Sequence, residues 1–394
     1  MSPLQISSND SFEDVLRKTT VARQWLDVSE DSFTSSTAGK KVEAVLRISA
    51  HIPGTSPAVV DVFEPAFKRL SVMSGGAIAV EAHWGGSLHN EREGITALCS
   101  GLTDMCPVYS AWDPGLFPAA QALSLPFMFD SAELATQVSE VLYQRYFKDD
   151  FERQGIFMGR MVATSDYNLF SRSPVRALED LAGQKVACSD GVESDIFSAL
   201  GAIPVKCSTP EAKNLFFKNE VFAVSISDSA AHTVGLYQQA AFRTSANLVR
   251  VNLEYGLSQR FYLGLSQRLK VILNEWLRGL AQAGAQLFYG LAGAKARAAF
   301  KASNMEFITL STAEQARWRQ QVSGVERAMG HQLTSTGYPA DEMLVAIRSE
   351  SEKYASWSAD QLMSESLRSP LQDLLPDLLQ PDSVSLTPTA SRAK

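Results

Sequence analysis

The sequence has few cysteines and no concentration of positive charge. Its 394 residues include four cysteines, none of them in a C-x-x-C pair, which is a low count for a scaffold built on disulfide bonds. The formal net charge is −7 and there is no basic stripe, whereas nucleic-acid binding requires clustered Lys and Arg. We therefore predict no nucleic-acid partner.

Long apolar segments are missing as well. No apolar run approaches the ~20 residues that a transmembrane helix requires. The first residues, MSPLQISSNDSFEDVLRKTT, also lack the apolar stretch of a secretory signal. Taken alone, this start favours a protein that stays in the cytoplasm.

Motifs for catalysis and for cofactors are absent from the sequence. It contains no G-x-G-x-x-G, Walker A loop, G-x-S-x-G or H-E-x-x-H, each of which places reactive groups or glycines at a spacing that its chemistry needs. The five histidines fit no standard zinc spacing. We predict a protein that is not an enzyme and that has no cofactor and no metal.

The cysteines leave alternatives open. A nucleophilic Cys188 would need a base and a site that favours the thiolate, and nothing in the sequence supplies them. Cys188 and Cys207 end two strands separated by one helix, and such strands often pair side by side. They could form a disulfide, but two buried free thiols are the favoured alternative. Cys99 and Cys106 are similarly ambiguous.

The composition and the pattern of elements are those of an ordinary globular protein. The chain is 45% hydrophobic and 20% charged, enough to bury large cores. Strands and helices alternate from about residue 42, and the chain is mostly helical from about 265, which predicts an α/β protein with a helical C-terminal third. The predicted strands are 42–50, 77–84, 102–108, 156–163, 167–171, 185–189, 203–207 and 221–227. Predicted helix starts are Asp130 with Glu133, Thr209 with Pro210, and Ser311 with Glu314.

Composition marks the two ends of the chain, and a family resemblance given below implies how the part between them is divided into lobes. We predict a disordered or weakly ordered leader (1–43), lobe 1 (44–165), lobe 2 (166–250), a return to lobe 1 with the hinge and C-terminal helices (251–357), and a tail (358–394).

Four segments carry a family resemblance through their order and spacing. They are SGGAIAVEAHWGGSLHNEREGITALCSGLTDM (74–105), LFPAAQALSLPFMFDSAELA (116–135), SPVRALEDLAGQKV (173–186) and LGAIPVKCSTPEAKNLFFKNEV (200–221). The first runs from a strand through Gly86-Ser87-Leu88 and an acidic helix start to Asp104-Met105, and the second contains Leu125-Pro126-Phe127. Together they resemble the solute-binding proteins of tripartite ATP-independent periplasmic (TRAP) transporters over roughly residues 44–330.

The resemblance implies both a fold and a mechanism. The fold is two-lobed and periplasmic-binding-protein-like, of a type II-like kind, with hinge strands and a long connecting helix. The lobes close over a small organic solute, and the closed form delivers it to membrane permease subunits. Hinge closure needs no catalytic group, in agreement with the missing motifs. The implied location is the periplasm.

The sequence departs from the family pattern at the groups that usually grip a carboxylate. The family's "GlkiR" strand ends in Arg, whereas here Ala187 occupies that position, and Lys185 is a poor substitute two residues away. The family's second Arg is missing near Asp166. Arg172 is close by but is expected to lie near the turn and face solvent, and Arg160 on the preceding strand is another candidate. A buried carboxylate without a partner is costly, so we predict either a ligand that lacks a carboxylate or a protein that has lost binding.

Nine residues are predicted to line the cleft between the lobes. They are His51, Trp84, Tyr109, Asp166, Tyr167, Asn168, Ala187, Ser225 and Ser227. Two alternative hypotheses accompany this one. The first is a non-transport descendant, such as a cytosolic ligand sensor or scaffold, and the second is an enzyme that uses Cys188.

Overall fold

The structure, a computed structural model, describes residues 4–368. The strands within this range form one five-stranded and one six-stranded sheet. They are β1 (Ala44–Ser49), β2 (Ile78–His83), β3 (Met105–Pro107), β4 (Ile156–Ala163), β5 (Asn168–Ser171), β6 (Lys185–Cys188), β7 (Ile203–Lys206), β8 (Ala223–Ile226), β9 (Phe242–Ser245), β10 (Asn252–Ser258) and β11 (Glu306–Thr309).

The α-helices of the same range surround the two sheets. They are α1 (Phe12–Lys18), α2 (Thr20–Leu26), α3 (Glu30–Thr37), α4 (Glu64–Ser74), α5 (Gly94–Ser100), α6 (Ala132–Leu142), α7 (Lys148–Arg153), α8 (Val192–Ala199), α9 (Thr209–Phe217), α10 (Asp228–Thr233), α11 (Gln259–Leu263), α12 (Gln267–Ala283), α13 (Ala292–Ala302), α14 (Thr312–Ser335), α15 (Ala340–Tyr354) and α16 (Ala359–Arg368). No helix in the described range is long and apolar enough to cross a membrane.

Lobe 1 is built on the five-stranded sheet, in the order β2-β1-β3-β10-β4. β1 runs parallel to β2 and β3, whereas β10 runs antiparallel to β3 and β4. Helices α4 and α12 pack against each other in this lobe, where the buried indole of Trp276 donates a 2.6 Å hydrogen bond to the Ala66 carbonyl. β10 therefore returns to lobe 1 after β5 to β9 of lobe 2, and β11 later completes the lobe 2 sheet.

Lobe 2 is built on the six-stranded sheet, in the order β11-β9-β5-β8-β6-β7. The predicted side-by-side pairing of the strands next to Cys188 and Cys207 is confirmed. β6 runs parallel to β7, and Lys185 lies opposite Ile203. All four cysteines are free, so the disulfide alternative does not describe this structure. Cys188 is 3% exposed, which is the packed thiol of the other alternative.

Two short segments and one long helix cross between the lobes, before the C-terminal helices return to lobe 1. Residues 164–167 join β4 to β5 and residues 246–251 join β9 to β10, and the two segments are tied by 3.0 Å hydrogen bonds from Tyr167 N to the Val249 carbonyl and from Thr164 N to the Val251 carbonyl. The third crossing is the continuous helix from α12 to α13, whose middle, Gly284–Leu291, is π-helical. The predicted two-lobed α/β fold with hinge strands and a long connecting helix is confirmed.

The amino-terminal segment differs from its prediction as a weakly ordered leader. Residues 12–37 form three helices, and Val15 and Ala22 are fully buried. Helices of seven or eight residues are not stable alone, and α2 is held here by packing against α4, α12 and α16. Sequence reasoning underestimated this segment because its few apolar residues depend on distant partners.

The predicted tail and helix starts show smaller differences. Residues 359–368 form α16, which packs on α6 and α12, and the rest of the tail lies outside the described residues. The N-cap of α6 is Ser131 and that of α9 is Ser208, each one residue from the prediction, whereas Ser311 caps α14 as predicted. The Ser131 hydroxyl accepts from Leu134 N at the start of α6, whereas α9 begins with the Glu211 carboxylate accepting from Ser208 N.

Candidate ligand-binding site

A cavity of about 420 Å³ lies between the two lobes, a volume typical of small-molecule sites. Lobe 1 contributes the segments that follow β1 and β3, lobe 2 contributes α9 and α10, and the connecting helix contributes its π-helical part. The lining residues are His51, Ile52, Pro53, Tyr109, Trp112, Thr164, Tyr167, Thr209, Pro210, Lys213, Asn214, Ser227, Ala230, Thr233, Val234, Leu253, Phe288 and Tyr289.

The sheet edges explain why residues far apart in sequence meet here. His51 follows β1 and Tyr109 follows β3, and these two strands are parallel. Parallel strands place their carboxyl ends at one edge of a sheet, where α/β proteins bind ligands. Ser227 follows β8 in lobe 2 and caps α10 by accepting a hydrogen bond from Ala230 N. The cavity thus lies where strands of both sheets end.

Aromatic rings form much of the cavity wall. The Tyr109 and Trp112 rings meet edge to face with centroids 4.4 Å apart, and His51 lies 5.7 Å from Tyr109. Phe288 and Tyr289 form a second pair at 4.7 Å. Such rings offer a large apolar contact area, and the tyrosines add a hydroxyl at one end.

The cavity is lined by a cation and by neutral polar groups, and none of its lining residues is Asp or Glu. Burial lowers the pKa of His51 to about 4, with a further contribution from His89, so His51 is neutral at pH 7. Its Nδ1 is buried without a hydrogen-bond partner. Burial raises the pKa of Tyr109 and Tyr167, so both hydroxyls stay protonated. Lys213 adds a positive charge.

A smaller recess of about 50 Å³ shares five lining residues with the cavity. Arg160 of β4 lines this recess and is 7% exposed. Its guanidinium carbon lies 4.5 Å from the centre of the Tyr255 ring and 4.9 Å from that of Phe63. Its Nε is buried without a hydrogen-bond partner. A positive charge is thus placed next to the cavity with aromatic faces on two sides.

The cavity brings together four of the nine predicted residues: His51, Tyr109, Tyr167 and Ser227. The other five lie elsewhere. Trp84 covers the lobe 1 core, stacked on Phe67 with centroids 6.2 Å apart. Asp166 is buried in the hinge.

Asn168, Ala187 and Ser225 lie inside lobe 2. Asn168 donates a 3.1 Å hydrogen bond to the Asp228 carboxylate. Ala187 has no exposed surface and packs in the core of lobe 2, with Phe216 of α9 in the same cluster. Ser225 is 7% exposed and interacts with the buried carboxyl of Glu193. The three strand residues therefore contribute to the packing of lobe 2 and do not line the cavity.

Several lining residues were missed by sequence reasoning. Trp112 could have been inferred because it is three residues after Tyr109. Lys213 could have been inferred because it lies one turn into α9, whose start was predicted to within one residue. Phe288 and Tyr289 offered none, because they lie within a helix. Their approach to the cavity depends on how that helix crosses between the lobes.

A second cavity, of about 220 Å³, lies between the hinge strands and α14. Asp166 and Arg250 line it, and they pair with each other at 2.8 Å. Because these charges are already satisfied, a ligand would gain less here than in the larger cavity. Within residues 4–368 no group of three or more His, Cys, Asp and Glu side chains is placed to hold a metal ion.

Two α/β lobes, joined by hinge segments and a long helix and with a ligand-sized cavity between them, define a hinged solute-binding protein. The description "Bacterial extracellular solute-binding protein, family 7" (DctP) matches residues 49–332. The chain therefore belongs to this family, which supplies the solute-binding component of TRAP transporters. The predicted resemblance is confirmed.

Individual relatives are distant in sequence. The uncharacterized protein YiiZ of Salmonella typhimurium is 27% identical over 176 residues, which cover 43% of this chain and 52% of that protein. The chain thus matches about half the length of this curated relative.

Solved structures show the same fold. A TRAP solute-binding protein from Rhodoferax ferrireducens, in complex with copurified benzoate, has a TM-score of 0.74 at 18% identity, covering 79% of this chain and 98% of that one. One from Bordetella bronchiseptica, with bound (R)- and (S)-mandelate, has a TM-score of 0.72 at 21% identity, with coverage of 78% and 99%. A marine metagenome protein specific for aromatic acids has a TM-score of 0.74 at 20% identity, with coverage of 79% and 99%.

Proposed function

We propose that this protein captures a small organic acid in the cavity between its lobes and delivers it to the membrane subunits of a TRAP-type transporter. In this proposal the protein works outside the cytoplasm, as its family does, and carries out no reaction on the solute. Affinity comes from burying the solute and satisfying its polar groups.

The charge of the cavity and its adjoining recess is the observation that carries this proposal. Lys213 lines the cavity and Arg160 lines the recess, and neither lining includes an acidic side chain. A protein of net charge −7 that gathers cations without acids at one site is suited to an anionic ligand. The substitution at Ala187 predicts either a ligand without a carboxylate or a loss of binding, whereas these two cations favour an acid.

Closure of the lobes supplies the mechanism. The cavity wall is shared between lobe 1, lobe 2 and the connecting helix, so a solute that contacts all three favours the closed arrangement. The hinge segments 164–167 and 246–251 are short and lie side by side. They are the positions at which a rotation of one lobe against the other is absorbed.

Ligand screening tests the acid assignment. The full chain is heated with benzoate, mandelate, succinate and glucuronate, and with the uncharged benzamide and glucose as matched controls. We expect at least one acid, and neither uncharged compound, to raise the melting temperature by several degrees. Stabilisation by the uncharged compounds alone would contradict the proposal.

Location and partnership require separate measurements. Cell fractionation should place the protein outside the cytoplasm, and the solute-loaded form should bind the membrane subunits more tightly than the empty form. A purely cytoplasmic protein that binds its acid normally would instead favour the non-transport descendant, such as a ligand sensor.

A further inference from the structure

Arg160 differs from the other buried arginines of residues 4–368 in its partners. Each of the others has a carboxylate within ion-pair distance. These pairs are Arg243–Asp228 and Arg278–Glu140. The partly buried Arg250 and Arg297 also pair with carboxylates, those of Asp166 and Asp228. Arg160 has only aromatic rings and a tyrosine hydroxyl around it. The fold therefore leaves one buried arginine without an anion.

A buried cation without a counter-charge is costly. The faces of Phe63 and Tyr255 offset part of this cost through cation–π attraction. They leave the Nε–H of Arg160 without an acceptor, because that atom is buried and has no hydrogen-bond partner. A guanidinium presents paired N–H groups in the geometry that a carboxylate accepts. The missing partner thus has the chemistry of a carboxylate.

The recess in front of Arg160 has room for such a group. Its volume is about 50 Å³, against the ~10–15 Å³ needed to hold one water. Gly284 of the connecting helix helps to keep it open, since a Cβ there would lie 2.8 Å from Nη1 of Arg160. The charge of Arg160 also acts on the hydroxyls of Tyr109, Tyr255 and Tyr289. These protonated hydroxyls can donate to the second oxygen of a carboxylate.

The recess continues into the aromatic part of the cavity. The residues that the two share are Ile52, Tyr109, Leu253, Phe288 and Tyr289. Beyond them lie the rings of Trp112 and Tyr167, and the one further cation is Lys213, which is half-exposed. A ligand with its charged end in the recess would therefore place an adjacent ring among aromatic side chains.

From this arrangement we propose that Arg160 binds the ligand carboxylate and that the ligand is an aromatic monocarboxylate. This inference rests on the proposed function and names the residue that recognises the negative charge of the ligand. It moves the anion-binding cation from the strand of lobe 2 that carries Ala187 to β4 of lobe 1. The carboxylate is then held by lobe 1, and lobe 2 closes over the ring.

Calorimetric titration of the full chain tests both parts. The ligands are benzoate, its uncharged analogue benzamide, and succinate, and the variants are Arg160→Met and the matched cavity control Lys213→Met. We expect wild type to bind benzoate at least about 100-fold more tightly than benzamide, and Arg160→Met to remove that preference. Lys213→Met should weaken benzoate by less than about tenfold, since its charge is not the one that binds the carboxylate.

A stability measurement separates ligand binding from a structural role. If Arg160 exists for the ligand, the unliganded Arg160→Met protein should melt at the same temperature as wild type or higher, because an unpaired buried charge has been removed. A variant that melts far lower, together with a wild-type complex whose benzoate lies more than 4 Å from the guanidinium, would overturn the proposal.

The remaining outcomes are equally decisive. Equal loss of benzoate and benzamide binding in Arg160→Met would make Arg160 a packing residue. Binding of succinate in preference to benzoate would refute the aromatic class while leaving the proposed function intact. If wild type bound none of the acids in the wider screen, both the proposed function and this inference would fail.

Discussion

Asp166 and Arg250 form a buried ion pair, 2.8 Å apart, that joins two of the segments crossing between the lobes. Asp166 belongs to residues 164–167 and Arg250 to residues 246–251. Arg250 also donates to the carbonyls of Phe129 and Asp130. A residue predicted to contact the solute is therefore part of the hinge.

Removing one member of this pair should be strongly destabilising. Asp166→Ala leaves the Arg250 charge buried without its partner, so the free energy of unfolding should fall by about 3–5 kcal/mol. Urea unfolding measures the change, and Arg250→Met with the double variant completes a cycle. Arg348→Ala, which breaks an exposed pair with Glu326, is the control and should cost about 1 kcal/mol or less. Equal losses of unfolding free energy in Asp166→Ala and Arg348→Ala would show that the buried pair stabilises the protein no more than an exposed pair does.

The contact between Trp25 and Gly279 should hold the amino-terminal helices in place. A Cβ at Gly279 would lie 2.5 Å from Cζ2 of Trp25, so Gly279→Ala should displace α2 and speed proteolysis within residues 12–26. The control is Gly324→Ala in α14, where a Cβ meets nothing within 4 Å, and the better helix propensity of alanine should add about 1 kcal/mol or less. Unchanged proteolysis in Gly279→Ala would mean that α2 adjusts without loss.

Two buried carboxyl groups should make the protein less stable as the pH rises. Burial raises the pKa of Glu193 and Glu254 to about 7, from 4.5. A group whose pKa is higher in the folded state stabilises fully below its unfolded pKa and loses that effect as the pH passes its folded pKa. At 1.36 kcal/mol per pKa unit, each carboxyl group should lower the free energy of unfolding by roughly 3 kcal/mol between pH 4.5 and 8.

Urea midpoints at pH 5 and pH 8 measure this dependence. The double variant Glu193→Gln with Glu254→Gln should flatten it, whereas Glu326→Gln on the surface should leave it as in wild type. If stability still fell steeply with pH in the double variant, other buried carboxyl groups would be responsible for the effect.

The cysteines should differ sharply in reactivity. Cys99 is exposed, whereas Cys106 and Cys188 are buried and burial raises the pKa of both thiols. Iodoacetamide should label Cys99 in the native protein and reach the other two only in urea, as mass spectrometry of digests would report. Native labelling of Cys188 with loss of solute binding would revive a functional role for that thiol.

The sequence predicted the parts of the fold that local patterns control. The strand at 156–163 has the predicted bounds, and β6 and β7 pair as expected because a short βαβ unit leaves few alternatives. Helix starts were off by one residue at Ser131 and Ser208, where neighbouring side chains compete for the same cap.

The site was less predictable because it depends on how separate elements approach one another. His51 and Tyr109 were found because they follow parallel strands, which must end at one edge of a sheet. Ala187 was placed by alignment at a ligand-binding position, but its side chain packs toward α9. Phe288 and Tyr289 required knowledge of the crossing helix, which no local pattern contains.

The π-helical segment Gly284–Leu291 makes the cavity depend on chain length as well as on side-chain identity. Phe288 and Tyr289 lie within this segment and line the cavity. Deleting one residue from α12, the regular α-helix before this segment, would rotate all later residues by about 100° around the helix axis. Both rings would then leave the cavity although neither was substituted. Insertions and deletions in this helix are therefore a route by which ligand preference can diverge among proteins that keep the same wall residues.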